Sequence, residues 1–255
     1  METNLLLGVP LNSFYFYLVV FSATLGQYNI HYFIKDTANT NSDRFLWSET
    51  HRQWHLLLNV AGALGLIIGL IHLNVRHFMV LGIVMLITVL YSFPFLPFRK
   101  KKRLKDFGLL KILTLTYVWT LITVWFPLAN LTRITSDFQL VFAHRFVFMF
   151  ALCLAFDIRD MEADGQEGIR TIPVKFGKKW SYIGIYLSLL VFVALSVFYF
   201  RRSLDFMSLN AMILSAIATY FVVEYSKSRQ TDMVYLAGID GMMLLQAILV
   251  GIGRL

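Results

Sequence analysis

Three aspartates at the end of a long apolar segment are the residues of this chain best suited to do chemistry. Asp157, Asp160 and Asp164 follow one another at spacings of three and four residues. On an α-helix this spacing places all three carboxylates on one face. Like charges that lie together beside a membrane repel one another and resist desolvation, so a cation should compensate them. Because oxygen ligands alone suit a hard divalent ion, we expect a magnesium site here.

The composition is that of a membrane protein. Of the 255 residues, 58% are hydrophobic and only 15% are charged, whereas soluble domains are about 45–50% apolar and about 25% charged. The N-terminus lacks the cationic stretch and the small-residue cleavage site of a signal peptide. The single cysteine, Cys153, lies in an apolar run. A disulfide within the chain is therefore excluded, and packing is its expected role.

Eight apolar segments are each close to the ~20 residues that a helix needs to cross a bilayer. None alternates strictly between apolar and polar residues, so helices are expected and barrel strands are not. We predict an all-α, polytopic bundle of about eight membrane helices in a single domain, residues 1–255. Glycines at 62, 65 and 69 are spaced for close packing of two helices. The predicted spans are 11–34, 55–73, 77–98, 107–127, 138–157, 181–200, 206–224 and 232–252.

The basic residues are distributed unevenly between the two sides of the membrane. Four connections on one side hold 16 of the 23 Lys and Arg residues, including the dense run 99–105. Since Lys and Arg concentrate in cytoplasmic loops, this side is expected to be cytoplasmic, in a cytoplasmic membrane. The aspartate cluster lies on the same side. Because the basic residues follow the membrane surface, lipid head groups are their expected partners and nucleic acid is not.

A weak internal repeat relates the two halves of the chain. Residues 28–36 align with residues 156–164 at an offset of 128 positions. Asn29 and Asp36 then correspond to the first and last aspartates of the cluster, and a tyrosine corresponds to the middle one. Each peptide ends the first helix of a four-helix set, so duplication explains the match better than chance. Membrane proteins built from repeats often hold a site between the halves.

The aspartate cluster leads directly into residues 168–177, which read GIRTIPVKFG. In this combination the chain resembles the UbiA-type family of intramembrane prenyltransferases, whose second Asp-rich motif runs into a G-x-R-T-[LI]-P-V-x-x-G stretch. Tyr91, in the Tyr-Ser-Phe-Pro run before the basic loop, and the Asp240-Gly241 pair match the family more weakly. The resemblance covers about residues 11–252.

The resemblance implies a helical bundle around a central cavity open to the membrane. It also implies Mg²⁺-dependent transfer of an isoprenoid chain from a prenyl diphosphate to a small acceptor, often an aromatic quinone precursor. Metal ions and cationic side chains stabilise the negative charge that builds up on the leaving diphosphate. The implied catalytic residues are Asp157, Asp160 and Asp164, and these three with Asp36 are the implied metal ligands. The expected substrate-binding residues are Asn29, Asp36, Arg170, Lys175 and Lys105.

Two features depart from the family pattern. Family members usually have nine helices with the first motif after the second helix, whereas here the equivalent peptide follows the first predicted helix. The first motif normally reads N-D-x-x-D-x-x-x-D, but its acidic positions carry Asn29, Tyr32 and Asp36. A catalytically degraded relative that binds a lipid or a partner protein is therefore the alternative to an enzyme. A small transporter ranks third, because both acidic peptides lie at one membrane face and not at the midplane.

Three charged residues lie inside predicted helices. Lys111 and Asp240 are about one to two turns from the cytoplasmic ends, a depth at which charges usually find partners in the bundle. An ion pair between them is consistent with that depth. Arg145 lies about two turns from the opposite end, and we expect its long side chain to extend to the membrane surface.

Overall fold

The structure, a computed structural model, describes residues 1–34, 51–95, 103–131, 136–203 and 205–254. Within these ranges the chain forms ten helices and no strands, which confirms the all-α prediction. Seven helical segments are long and apolar enough to cross a bilayer, so this is an integral membrane protein. The expected span at 11–34 is also a helix, but its described apolar part, Phe14–Gln27, is shorter.

The ten α-helices occupy most of the described chain. They are α1 (Glu2–Leu6), α2 (Phe14–Ile34), α3 (Arg52–Ile71), α4 (Val75–Ser92), α5 (Gly108–Thr120), α6 (Ser136–Arg159), α7 (Met161–Gln166), α8 (Ile172–Ser203), α9 (Phe206–Ser228) and α10 (Gly241–Ile252). Short 3₁₀ or π segments lie at Leu104–Asp106, Leu121–Trp125, Phe126–Leu128 and Val234–Ile239. Gly177 interrupts α8 with φ +83°, a backbone conformation that favours glycine.

The chain divides into two compact units. The small unit is Asn12–Phe78, and the large unit is Met1–Leu11 together with Met79–Leu255. The last turns of α4 belong to the large unit, and its first residues belong to the small one. A single domain, the two four-helix repeats and the central cavity remain predictions.

In the small unit α2 packs against α3 along a stripe of glycines. A Cβ atom added to Gly65 would lie 2.4 Å from the Ser22 hydroxyl oxygen, and one added to Gly69 would lie 2.5 Å from a Val19 methyl carbon. Larger residues at these positions would force the helices apart. The predicted packing role of the glycines is therefore confirmed.

In the large unit α6 is the most enclosed helix, packed between α5 and α8. A helix that is apolar all round is suited to such a central position. Cys153 lies within it as a free, buried thiol, which confirms the expected packing role. The central helix thus carries the aspartate cluster at its C-terminal end. Its buried apolar side chains include Phe148, Met149, Leu152, Leu154 and Ile158.

Arg145, on the N-terminal half of α6, points into the large unit. Its side chain is 3% exposed and forms an ion pair with Glu2 of α1. The expectation that Arg145 extends to the membrane surface is therefore wrong. A carboxylate inside the bundle removes the reason for the guanidinium to seek water.

Candidate active site

The aspartate cluster straddles a joint between two helices. α6 ends at Arg159 and α7 begins at Met161, while Asp160 between them has φ −85° and ψ 4°. Helix-like backbone bonds cross the joint, since the Asp160 N–H donates to the Phe156 carbonyl at 3.0 Å and the Asp164 N–H donates to the Asp160 carbonyl at 2.9 Å. The residues of the cluster therefore lie on two helices joined at Asp160, where one uninterrupted helix was expected.

A lysine from α5 lies between the two outer aspartates. The Lys111 Nζ atom is 2.6 Å and 2.8 Å from the carboxylate oxygens of Asp164, and 3.2 Å from Asp157 Oδ1. All three side chains are withdrawn from solvent, with exposures of 12% for Lys111, 9% for Asp164 and 4% for Asp157. The ion pair considered between Lys111 and Asp240 is therefore wrong, because the ammonium is taken by the cluster. The expected need of the carboxylates for a cation is met in part by this lysine.

Asp160, the middle aspartate, has a different partner. Its carboxylate accepts from Arg159 Nε at 2.7 Å and from Nη2 at 3.2 Å, and its side chain is 39% exposed. The Arg159 guanidinium also covers the rings of Phe156 and Tyr235, at 4.8 Å and 5.5 Å from their centroids. In the described ranges no three His, Cys, Asp or Glu side chains are grouped closely enough to hold a metal ion. A ligand set of three aspartates thus remains a prediction, while two of them converge on Lys111.

One oxygen of Asp157 is available for a further ligand. Asp157 Oδ2 is buried and has no hydrogen-bond partner among the described residues, whereas Oδ1 faces Lys111. Burying an unpaired carboxylate oxygen is unfavourable unless a cation or a donor reaches it. Carboxylate oxygens are the ligands that Mg²⁺ prefers. The chemistry of Asp157 and Asp164 therefore fits a magnesium ion that shares these carboxylates with Lys111.

Two glycines shape the contact between the loop after the cluster and the start of α5. Gly168 has φ +73°, which lets the chain turn back after α7. A Cβ atom added to Gly108 would lie 1.8 Å from the Arg170 carbonyl oxygen, so only glycine permits this approach. The contact places the helix that carries Lys111 directly against the loop that follows Asp164. The role of Gly108 was not predicted from the sequence. The available signal was its position one turn before Lys111, an intramembrane lysine.

The cations expected to bind substrate lie in or near this loop, and two of the three are more exposed than Lys111. Arg170 and Lys175 are exposed, and the Lys175 ammonium lies 4.9 Å from the centre of the Phe176 ring. Lys105 is partly buried. Partial burial, together with the neighbouring Arg103 guanidinium, lowers the pKa of Lys105 below its ordinary value. These side chains have the freedom to approach an anion, and their role in substrate binding stays a prediction.

Tyr91, near the C-terminal end of α4, belongs to the surroundings of the cluster. It is partly buried and interacts electrostatically with Asp157, Asp160 and Asp164. In the sequence, Tyr91 was notable only because the Tyr-Ser-Phe-Pro run before the basic loop weakly matches the family. Its position supports a place at the site and adds a hydroxyl to the groups around the carboxylates.

Asn29, expected in an opposing half-site, is engaged within the small unit. Its side-chain oxygen lies 2.7 Å from His55 Nδ1, and its side-chain N–H₂ donates to the Leu25 carbonyl at 2.7 Å. Asn29 is 7% exposed. Asp36 lies outside the described residues. The roles predicted for Asn29 and Asp36 are therefore still predictions.

Comparison with known proteins identifies the family. The model of the UbiA prenyltransferase family matches residues 35–236. The structure is also similar to a solved structure of a digeranylgeranylglyceryl phosphate synthase, with a TM-score of 0.58, 16% identity, and coverage of 99% of this chain and 90% of that chain. At this identity the likeness shows the fold alone, and no curated protein matches the sequence. Since the family match covers most of the chain, including the aspartate cluster and residues 168–177 that follow it, the chain belongs to the UbiA prenyltransferase family.

Proposed function

We propose that this protein transfers an isoprenoid chain from a prenyl diphosphate to a small acceptor within the membrane, with Mg²⁺ as its cofactor. Membership of the family supports prenyl transfer. The observation that carries the proposal is the convergence of Asp157 and Asp164 on Lys111 beside residues 168–177. Buried charges of both signs at the end of membrane helices are costly for packing alone, and they suit a site for a charged head group.

The aspartates and the lysine of the cluster have different proposed roles in binding a diphosphate. Asp157, Asp160 and Asp164, with Asp36, are the proposed ligands of Mg²⁺, which when bound neutralises charge on the diphosphate. Lys111 supplies a fixed positive charge, because two carboxylates hold its ammonium in place.

More mobile cations act beside this fixed group. Arg170 and Lys175 are exposed and Lys105 is partly buried. These three cations are proposed to move toward the diphosphate as it binds. Asn29 is also a proposed substrate-binding residue. An allylic cation left by cleavage of the C–O bond requires surroundings without water, which membrane-embedded helices provide.

The acceptor is proposed to be a small nucleophile, with aromatic quinone precursors as the first class to screen. The name of the structural neighbour, a digeranylgeranylglyceryl phosphate synthase, adds glyceryl phosphates to that screen. The active-site loops are proposed to face the cytoplasm, because the connections on their side carry most of the Lys and Arg residues.

A second candidate is a family member that has lost catalysis and binds a lipid or a partner protein. The hydrogen bond between Asn29 and His55 favours it, because that amide is already used inside the small unit. The acidic positions of the first motif are also reduced to one carboxylate.

The test measures binding of geranylgeranyl diphosphate to the purified protein in detergent, with and without Mg²⁺, by calorimetry. Asp157→Asn keeps the shape of the side chain and removes its charge. Glu162→Gln, at an exposed position on the adjacent α7, is the matched control. We expect magnesium-dependent binding by the wild type and by Glu162→Gln, and its loss in Asp157→Asn.

The other outcomes are equally informative. Binding that Asp157→Asn leaves unchanged would remove the cluster from the site. Absence of binding by the wild type under any metal would favour the non-catalytic candidate. Magnesium-dependent binding without transfer to any aromatic or glyceryl phosphate acceptor would restrict the conclusion to a prenyl diphosphate site.

A further inference from the structure

A second charged cluster lies on α6, well away from the aspartates. Arg145 precedes Asp157 by 12 residues on this helix, which corresponds to roughly 18 Å along the axis at ~1.5 Å per residue. Its guanidinium forms an ion pair with Glu2 of α1 and donates from Nη1 to the Gln246 side-chain oxygen of α10 at 2.5 Å. Arg145 is 3% exposed and Gln246 is fully buried. The cluster is therefore separate from the proposed prenyl diphosphate site.

This cluster has donors that its present acceptors do not use. Arg145 Nε is buried and has no hydrogen-bond partner among the residues the structure describes. The Gln246 amide nitrogen reaches two weak acceptors, Met212 Sδ and Ser215 Oγ, each at 3.4 Å. An arginine binds a carboxylate or phosphate best through two parallel N–H···O bonds. The ion pair with Glu2 is made through Nη2 and leaves Nε unused.

Glu2 belongs to α1, a helix that depends on contacts with the rest of the large unit for its stability. α1 has five residues, and helices this short are unstable in isolation. The Thr3 hydroxyl donates to the Thr123 carbonyl at 2.6 Å, and the Leu6 carbonyl accepts from the Tyr199 hydroxyl at 3.2 Å. The Leu6 carbonyl also accepts from Arg254 Nη2 at 3.5 Å, and the Leu6 side chain is 4% exposed within the core. An anion that displaces α1 must therefore offset these contacts as well as the Arg145 ion pair.

We propose that Arg145 and Gln246 form a binding site for a carboxylate or phosphate group, and that Glu2 is its built-in occupant. An anion that engages both Nε and Nη2 of Arg145 makes one more bond than Glu2 does, and it displaces Glu2 together with α1. A guanidinium inside a membrane helix requires a counter-ion, so the site exchanges one anion for another and is never left empty. The ligand comes either from water, as a small anion, or from the membrane, as the head group of an anionic lipid.

The first experiment removes the Glu2 carboxylate and adds other anions to the protein. Glu2→Ala should lower the midpoint of thermal unfolding by on the order of 5–10 °C, because it leaves a buried guanidinium uncompensated. Formate, inorganic phosphate or micellar phosphatidic acid should recover much of that loss, with phosphatidylcholine as the neutral lipid probe. Glu162→Ala, which removes an exposed carboxylate on α7, is the matched control. The double variant Glu2→Ala, Arg145→Gln should not respond to any anion.

Each outcome has a defined meaning. Recovery by formate or phosphate that the control and the double variant lack supports the site and assigns a water-borne ligand. Recovery by phosphatidic acid alone supports the site and assigns a lipid head group. The proposal is overturned if no anion stabilises Glu2→Ala more than it stabilises Glu162→Ala, since Glu2 would then be a structural counter-ion only.

A second measurement keeps Glu2 and tests whether an anion displaces α1, so it applies even if Glu2→Ala does not fold. Thr3 is 1% exposed, so a cysteine placed there by Thr3→Cys, in a Cys153→Ser background, should react slowly with a maleimide. Added phosphate or phosphatidic acid should accelerate labelling several-fold if an anion displaces α1. Labelling that no anion accelerates would overturn the proposal.

Discussion

Lys111 joins Asp164 to Asp157, donating to both carboxylate oxygens of Asp164 at 2.6 Å and 2.8 Å while it lies 3.2 Å from Asp157 Oδ1. The arrangement brings residues from three helices, α5, α6 and α7, into one buried ion cluster, and Lys111 and Asp164 are 53 positions apart in the chain. Two carboxylates share one ammonium, so the cluster has an excess of negative charge. A magnesium ion would change the net charge of these three side chains from negative to positive, which suits an anionic ligand.

Replacing Lys111 should show both how much it stabilises the buried carboxylates and whether it shares them with Mg²⁺. Lys111→Met should lower the free energy of unfolding of the metal-free protein by about 3–5 kcal/mol, because it leaves two buried carboxylates without a cation. Mg²⁺ should then raise the midpoint of thermal unfolding more in Lys111→Met than in the wild type. Lys105→Met, which removes a lysine outside the cluster, is the control. Equal responses to Mg²⁺ in Lys111→Met and the wild type would show that the lysine and the metal do not share ligands.

Asp160 and Asp164 should differ in their effects on stability and agree in their effects on activity. Asp164→Asn removes a buried partner of Lys111, whereas the ion pair of Asp160 with Arg159 is partly open to solvent and contributes about 0–1 kcal/mol. Asp164→Asn should therefore lower the midpoint of thermal unfolding more than Asp160→Asn does. Prenyl transfer should fall in both variants if both residues bind the metal. Full transfer activity in Asp160→Asn would exclude Asp160 from the ligand set.

The close contact at Gly108 should be required for the site. Gly108→Ala places a carbon 1.8 Å from the Arg170 carbonyl oxygen, so the loop after the cluster must move. We expect a lower unfolding temperature and weaker binding of geranylgeranyl diphosphate, both measurable on the purified protein. Gly165→Ala is the matched control, since nothing lies within 4 Å of its added carbon. Equal behaviour of the two variants would mean that the loop does not depend on this contact.

A double-mutant cycle on Asn29 and His55 should distinguish a structural from a substrate-binding amide. The 2.7 Å hydrogen bond between them predicts a coupling energy of about 1 kcal/mol in thermal or denaturant unfolding. If Asn29 also faces substrate, Asn29→Ala should weaken diphosphate binding beyond the effect of His55→Ala. Identical binding losses in the two single variants would leave Asn29 a purely structural role.

The side of the membrane that carries the site can be measured by thiol labelling. In a Cys153→Ser background, Gln230→Cys should react with an impermeant maleimide only after the cells are opened, because its connection belongs to the basic set. Asn74→Cys, on the opposite set of connections, should react in intact cells. Both positions are exposed. The reverse pattern would place the aspartate cluster on the outer side.

Hydropathy was sufficient to predict the long helices of this protein, but not the short helices α1 and α7. Each of the eight predicted spans corresponds to a helix in the described residues. The prediction succeeds because every backbone polar group in lipid must be satisfied within its own segment, which leaves helices as the available structure for long apolar runs. The aspartate cluster and residues 168–177 likewise indicated the family before any fold was seen, because they are contiguous in the chain.

The partners of the buried charges were decided by tertiary structure. Depth in the membrane is encoded in the chain, and it correctly placed Lys111 and Arg145 inside their helices. Direction is not encoded in a helix that is apolar all round, because every rotation about its axis buries similar surface. Packing of α5 against α6 turned Lys111 toward Asp157 and Asp164, and docking of α1 turned Arg145 inward to Glu2.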